Sequence, residues 1–158
     1  MRSHELTQGR TFGLVFEHGE DFFSSLHAFC HANDIRQGYI PMFIAGFSHV
    51  DIVGTCEKLT DPDAPVWSKV QLSNVEVLGG GTLAYAETTG SISPHIHVAV
   101  GLKEHSAAGH TSHLLAARVQ FLTEMLLIET TSPTMHRTPN SSLYDVPLLH
   151  FAETGPNS

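Results

Sequence analysis

The sequence predicts an α/β domain of the α+β type, several strands with one or two helices, and three features carry that prediction. From His95 to Leu102 (HIHVAVGL) apolar residues alternate with others, the period-2 signature of a strand with one buried face. Phe22, Leu26 and Phe29 recur at i, i+4 and i+7, the buried stripe of an amphipathic helix. The remaining apolar runs are β-rich and broken by Gly or Pro clusters, as strands are.

Taken in order, Thr11 to Phe16 (TFGLVF) is a short opening strand. Gly19-Glu20-Asp21 then starts the helix, with acidic residues in its first turn where the helix dipole favours them. The helix ends near Asn33, and the polar residues through Gly38 form a turn. Tyr39 to Phe47 and His49 to Cys56 read as two β-runs hinged at Gly46-Phe47-Ser48. Asp61-Pro62-Asp63-Ala64-Pro65 holds neither helix nor strand and is a loop.

Val66 to Leu78 and Thr82 to Glu87 are two more strands, with Gly79-Gly80-Gly81 between them as a tight hairpin or bulge. That glycine run lacks the Lys-Ser/Thr of a P-loop and the spacing of a dinucleotide fingerprint. His113 to Ala117 is expected as a helical turn and Val119 to Ile128 (VQFLTEMLLI) as a central strand, with a helix the alternative that periodicity leaves open. From Thr131 the chain is rich in Ser, Thr, Pro and Asn. Leu143 to Phe151 adds an edge strand marked by Pro147, and residues 153–158 are expected to be a flexible tail.

A chain of 158 residues with 41% hydrophobic and 15% charged residues is sized for one domain with its own core. The net charge of -8 argues against general affinity for phosphate backbones, which clustered Lys and Arg would have to neutralise. Twelve histidines soften that balance near pH 6 without reversing it. The two cysteines lack a CxxC spacing, so a reducing compartment is the simpler expectation. No apolar segment follows Met1-Arg2, which predicts a cytoplasmic protein with neither signal peptide nor membrane span.

Chemistry concentrates in histidines. His95 and His97 share one strand face, and neutral imidazole is a ligand for zinc and other late transition metals. The alternative is a polar face hydrogen-bonded to loop carbonyls or exposed at a subunit contact. A third ring comes from the segment Ala108-Gly109-His110-Thr111-Ser112-His113, with His113 a ligand or a local turn residue and His110 the weaker alternate. His105, beside Glu104, reads as an exposed turn. His27 and His31 lie i, i+4 on the helix but lack the Glu of an HExxH zinc motif, so they belong to a solvated face. His18 and His49 show no partner in sequence.

Glu124 sits inside an apolar run, where an unpaired carboxylate would be costly. It is a candidate metal ligand, a partner orienting a ligating imidazole, or a general base of raised pKa; otherwise it pairs with Arg118 or lies at a solvated subunit interface. Glu76 and Glu87 read as ordinary strand-face residues. Ser91 and Ser93 lie near His95 without a G-x-S-x-G elbow, and Cys30 and Cys56 are expected as inert buried thiols.

Five motifs occur in one order over residues 9 to 130: Gly9-Arg10-Thr11-Phe12 with Glu17-His18-Gly19-Glu20-Asp21-Phe22; Ile40 to Val50 with Ala45-Gly46-Phe47; His95-Ile96-His97; Thr111-Ser112-His113-Leu114-Leu115; and Thr123-Glu124-Met125. Together they resemble the plants-and-prokaryotes conserved (PPC) domain. The resemblance implies a largely antiparallel sheet packed with helices, assembled as a homotrimer, with residues 9–152 as the domain, 1–8 an N-terminal extension and 153–158 the tail. Bacterial members carry a DNA-binding label because plant relatives have an AT-hook before the domain; no Arg-Gly-Arg-Pro core of that kind occurs here. The family's Gly-Gly before its motif histidine is replaced by Thr111-Ser112, and Leu114-Leu115-Ala116 continues the pattern, which favours His113 over His110 for that position.

Three functions follow as expectations. The first is a trimeric binding or regulatory module holding a divalent transition metal, zinc favoured, on His95, His97 and His113, or a small ligand there. The second is a metal-dependent hydrolase or lyase using the same histidines with Glu124 as base. The third, direct DNA binding, is disfavoured by the acidic balance.

Overall fold

A computed structural model describes residues 1, 3–53, 61, 63, 68–86, 88–102 and 105–152, with the backbone alone for 105–107. The chain runs β1 (Thr7–Glu17), α1 (Phe22–Ala32), β2 (Gly38–Val53), β3 (Lys69–Ala86), β4 (Ser91–Leu102), β5 (His105–Ser132), β6 (Met135–Asn140) and β7 (Val146–Phe151), with a 3-10 turn at Ser141–Leu143. Five strands form one sheet in the order β1-β5-β2-β3-β4, and every pairing is antiparallel. β4 also pairs with the start of β5, so the sheet returns on itself. One edge of β5 carries β2 from His113 to Glu129; the other carries β4 over His105 to His113 and then β1 over Leu122 to Ser132. The interval is bridged by the β1–α1 turn. There Gly19 N–H donates to the Val119 carbonyl and Val119 N–H to the Glu20 carbonyl, both at 2.9 Å, while Arg118 Nη1 donates to the Gly19 carbonyl at 2.8 Å.

The helix forms where expected. Its acidic residues precede the first turn rather than occupy it: Asp21 is the N-cap, and its Oδ1 accepts from Ser24 N–H at 2.9 Å. Phe22, Leu26 and Cys30 form the buried stripe, with Phe29 half-buried against the edge of Phe12. Phe22 stacks on Phe16 at 5.3 Å between ring centroids and meets Phe43 and Phe47 at 5.3 and 5.7 Å. That aromatic knot joins α1 to β1 and β2.

Several elements differ from the expected ones. β2 is one strand through Gly46-Phe47-Ser48; the expected hinge becomes register shifts against β5 on either side of Phe47. β3 is likewise continuous through Gly79-Gly80-Gly81. The glycines do not turn the chain. They pair with β2 on one edge and β4 on the other, and the bulge lies in β2 at Pro41-Met42, where Ile40 opposes Gly81 and Phe43 opposes Gly79. A Cβ on Gly79 would sit 2.3 Å from the Phe43 ring, and one on Gly81 2.3 Å from the His95 carbonyl oxygen. Close approach of strands, not turning, is what requires glycine there.

His113 to Ala117 is extended within β5 instead of helical, because pairing with β2 and β4 and burial of Leu114 and Ala117 override local preference. Val119 to Ile128 lies in the same strand, in the centre of the sheet as expected. The tail strand joins β6 in a separate two-stranded sheet, with Pro139 opposite Pro147. Gln37 holds the start of that hairpin: its Nε2 donates to the Pro133 carbonyl at 2.8 Å and its Oε1 accepts from Met135 N–H at 2.7 Å. The loop expected at 61–65, the end of the strand at Cys56, Glu87 and the tail 153–158 fall wholly or largely outside the described residues.

Gly81→Ala is expected to destabilise the fold by about 1–3 kcal/mol, read as a lower urea midpoint, since the His95 carbonyl is backbone and cannot swing away. An unchanged midpoint would refute the close-approach account.

Candidate metal centre

The alternation of β4 sends Ile96, Val98 and Val100 into the core and His95 and His97 to the opposite face. His95 opposes Thr82 and His97 opposes Gly80 on β3; on the other edge His97 opposes His113 of β5. Directly paired residues point to the same side, so three imidazoles gather on one patch, with Gly80 contributing no side chain beside them. His95 Nε2 and His97 Nε2 are 3.0 Å apart, and the ring centroids are 4.9 to 5.5 Å apart. One nitrogen from each of the three rings lies within 4.8 Å of the others.

Two nitrogens bound to a single tetrahedral zinc stand about 3.3 Å apart. The His95–His97 pair is already near that spacing, and the His113 nitrogen lies within 4.8 Å of both. His95 is held well below its ordinary value, at about 4, chiefly by burial and further by the positive charge of Arg137 and the neighbouring rings of His113 and His97. His113 is lowered in the same direction by burial, His97 and Arg137. Both rings are therefore neutral at pH 7, with lone pairs available to a cation. The donor set fits a divalent transition ion.

His110 is three residues from His113 on the same strand, so it has the opposite parity and pairs with Val100. It does not join the cluster. Glu124 also lies elsewhere. It is exposed, opposite Val15 and Ile44, and the row continues through Leu78 to Ala99 of β4. Its carboxylate is not among the groups that converge with the three imidazoles. Its surroundings are solvent and the outer sheet face rather than the buried environment that its apolar neighbours suggested.

His27 donates to or accepts from Ser91 Oγ at 2.8 Å through Nδ1, while His31 is exposed. His18 and His49 do have partners: His18 Nδ1 accepts from Phe121 N–H at 3.1 Å, and His49 Nε2 lies 3.0 Å from Asp51 Oδ1. Cys30 is buried, and burial pushes its thiol up to about 11, as an inert core residue should behave. Glu76 is exposed on its strand. The side chain of His105 is not among those described.

Sequence reasoning missed Arg137. It lies on β6 in the Ser/Thr/Pro-rich region, where nothing in the local pattern distinguishes it. The hairpin hangs β6 beside β3, and the Arg137 Nη2 donates to Thr82 Oγ1, the residue directly across from His95. Tyr39 is the next member of that row on β2.

Residues 3–131 match the Plants and Prokaryotes Conserved (PCC) domain, also abbreviated PPC. No curated protein matches the chain. Among solved structures, a metal-containing protein from Archaeoglobus fulgidus is similar in fold, at 19% identity over 94% of this chain and 99% of that one, with a TM-score of 0.77. A plant- and prokaryote-conserved protein from Pyrococcus horikoshii is 21% identical over 89% and 92% of the two chains, with a TM-score of 0.68. A protein from Ralstonia eutropha that carries a provisional DNA-binding label is 18% identical over 87% and 89%, with a TM-score of 0.71. At these identities the likeness is one of fold.

A histidine whose folded pKa lies below its unfolded value contributes stability that is complete above the unfolded value and is lost as pH falls. Metal-free protein is therefore expected to lose thermal stability between about pH 6.5 and 4, the interval over which the unfolded chain takes up the His95 proton first. In His95→Gln the decline over that interval should be shallower. Parallel melting-temperature profiles for the two proteins would refute the assignment.

Proposed function

The chain belongs to the Plants and Prokaryotes Conserved domain family, and we propose that it is a homotrimeric binding or regulatory module that holds a divalent transition metal, zinc first among candidates, on His95, His97 and His113. The observation that carries this reading is the convergence of three imidazole nitrogens from two strands within 4.8 Å. Two of those rings are kept neutral by their surroundings. The metal-containing relative from Archaeoglobus fulgidus adds support. Three protein ligands leave a fourth position for water or for an atom of a small ligand.

Self-association is supported by the outer face of the sheet. Val15, Ile44 and Leu78 lie in one row across β1, β2 and β3 at 71%, 44% and 56% exposure, with Met42 and Leu122 exposed beside them. Exposed apolar side chains clustered in that way, with one carboxylate among them, are what a subunit contact covers. Glu124 sits in its middle, so in the trimer this carboxylate belongs to the contact region. That placement weakens the hydrolase or lyase reading with Glu124 as base. The acidic net charge likewise sets DNA binding below the module reading.

Elemental analysis of untagged protein is expected to find close to one metal per chain, and His95→Ala, His97→Ala and His113→Ala should each lose it while circular dichroism stays unchanged. Absence of metal from the wild-type protein after zinc loading would overturn the proposal. Separately, Ile44→Glu combined with Leu78→Glu should convert a particle of three times the chain mass into monomer in sedimentation. A trimer that survives both changes would place the contact elsewhere.

A further inference from the structure

We propose that Arg137 makes the three-histidine site a receptor for a small oxyanion, a carboxylate or a phosphate, gripped jointly by the guanidinium and the bound metal. This inference rests on the metal reading above.

The position of the side chain is the first argument. Gln37 anchors the β6 hairpin at both Pro133 and Met135, and Met135 is fully buried. Two residues later Arg137 reaches Thr82, which faces the same side of the sheet as His95 in the adjacent strand. The guanidinium therefore stands at the rim of the imidazole cluster, held there by backbone contacts remote from it.

The second argument is what the guanidinium lacks. Arg137 is half-buried, and its Nε is buried with no hydrogen-bond partner. Among the described residues the ion pairs are Arg10–Glu129, His49–Asp51 and Lys69–Asp51; none includes Arg137. The chain has 16 acidic residues to 8 Lys and Arg, so a carboxylate partner is not scarce. Leaving a partly desolvated cation unpaired is costly. An arginine offers five donors in a rigid fork that matches two oxygens of a carboxylate or phosphate, and here Thr82 occupies one of them.

Charge balance is the third. Neutral imidazoles around a divalent cation leave its charge uncompensated, and Arg137 adds another positive charge beside it. An oxyanion placing one oxygen at the open metal position and another on the accessible part of the guanidinium would offset both charges. The rest of the nearby row, Thr82 and Tyr39, supplies hydroxyls rather than carboxylates, so nothing described in that row repels such a ligand.

The test uses the full chain loaded with cobalt(II), whose visible absorption reports its ligands. Titration is done with inorganic phosphate in one arm and acetate in the other. Saturable perturbation by at least one anion is expected, and the arm that responds identifies the class. Arg137→Gln should weaken that anion by about tenfold or more with cobalt stoichiometry unchanged, and Arg137→Lys should recover part of the loss. Because coupling is reciprocal, the same anion must tighten cobalt binding to the wild-type protein by the factor by which cobalt tightens the anion over the metal-free protein, a measurement that does not depend on any variant folding. Equal anion affinity in wild type and Arg137→Gln, or no response to either anion, overturns the role of Arg137 while the metal site stands. Failure of the wild-type protein to bind cobalt overturns the metal reading itself, and the joint site with it.

Discussion

The site exists because β5 is long enough to be shared. Its 28 residues hydrogen-bond to β2 along one edge and to β4 and then β1 along the other. At His113 the two edges meet β2 and β4 in the same residue, opposite Val53 on one side and His97 on the other. Remove the β4–β5 pairing and His113 parts from the His-x-His pair, however well each strand forms alone. The β1–α1 turn closes the remaining interval on β5 through Val119 and Arg118, so helix placement and sheet closure are parts of one constraint.

Core and site are coupled by the pleat. Ile96, Val98 and Val100 are buried because they alternate with His95, His97 and Ala99, and a one-residue slip in β4 would exchange the two faces. Such a slip would bury imidazoles and expose three apolar side chains, a loss of several kcal/mol by the usual area bookkeeping. The packing that stabilises the fold thereby holds the three histidines in register. The glycines of β3 contribute from the other side: with strand backbones this close, Gly81 is what lets the backbone at His95 approach.

Global and local electrostatics point in different directions. The chain carries a net charge of -8, yet the patch around His95, His97, His113 and Arg137 holds no carboxylate in its candidate ligand set. Two acidic groups are engaged elsewhere. Asp51 accepts from Lys69 and Gln71 and faces His49. Glu129 is held below the usual carboxylate range by its hydrogen bonds with Arg10, against the opposing effect of burial. Composition thus argues about long-range partners such as nucleic acid, while the ligand chemistry of the site depends on a handful of side chains within a few ångströms.

What the sequence determined alone is local and periodic. The helix with its Phe22 and Leu26 stripe, the two faces of β4 and the pairing of His95 with His97 on one of them were legible from spacing, while His113 was favoured over His110 only through the family resemblance. Alternation and the 3.6-residue period are properties of neighbouring residues, so no knowledge of distant contacts is needed. Tertiary structure decided the rest. It made Gly79-Gly80-Gly81 a close-packed strand interior rather than a turn, drew His113 to Ala117 into a strand, left Glu124 on an outer face, and brought Arg137 to the rim of the site. In each case the outcome depends on which strand lies alongside. Glycine serves turning and close approach equally well, and an apolar run states that something is buried without saying on which side. An arginine in a polar tail bears no mark of what it will meet. Only the pairing of β4 with β5 and the placement of the β6 hairpin resolve those choices, because contacts between residues distant in sequence are set by sheet closure and not by the chain's own period.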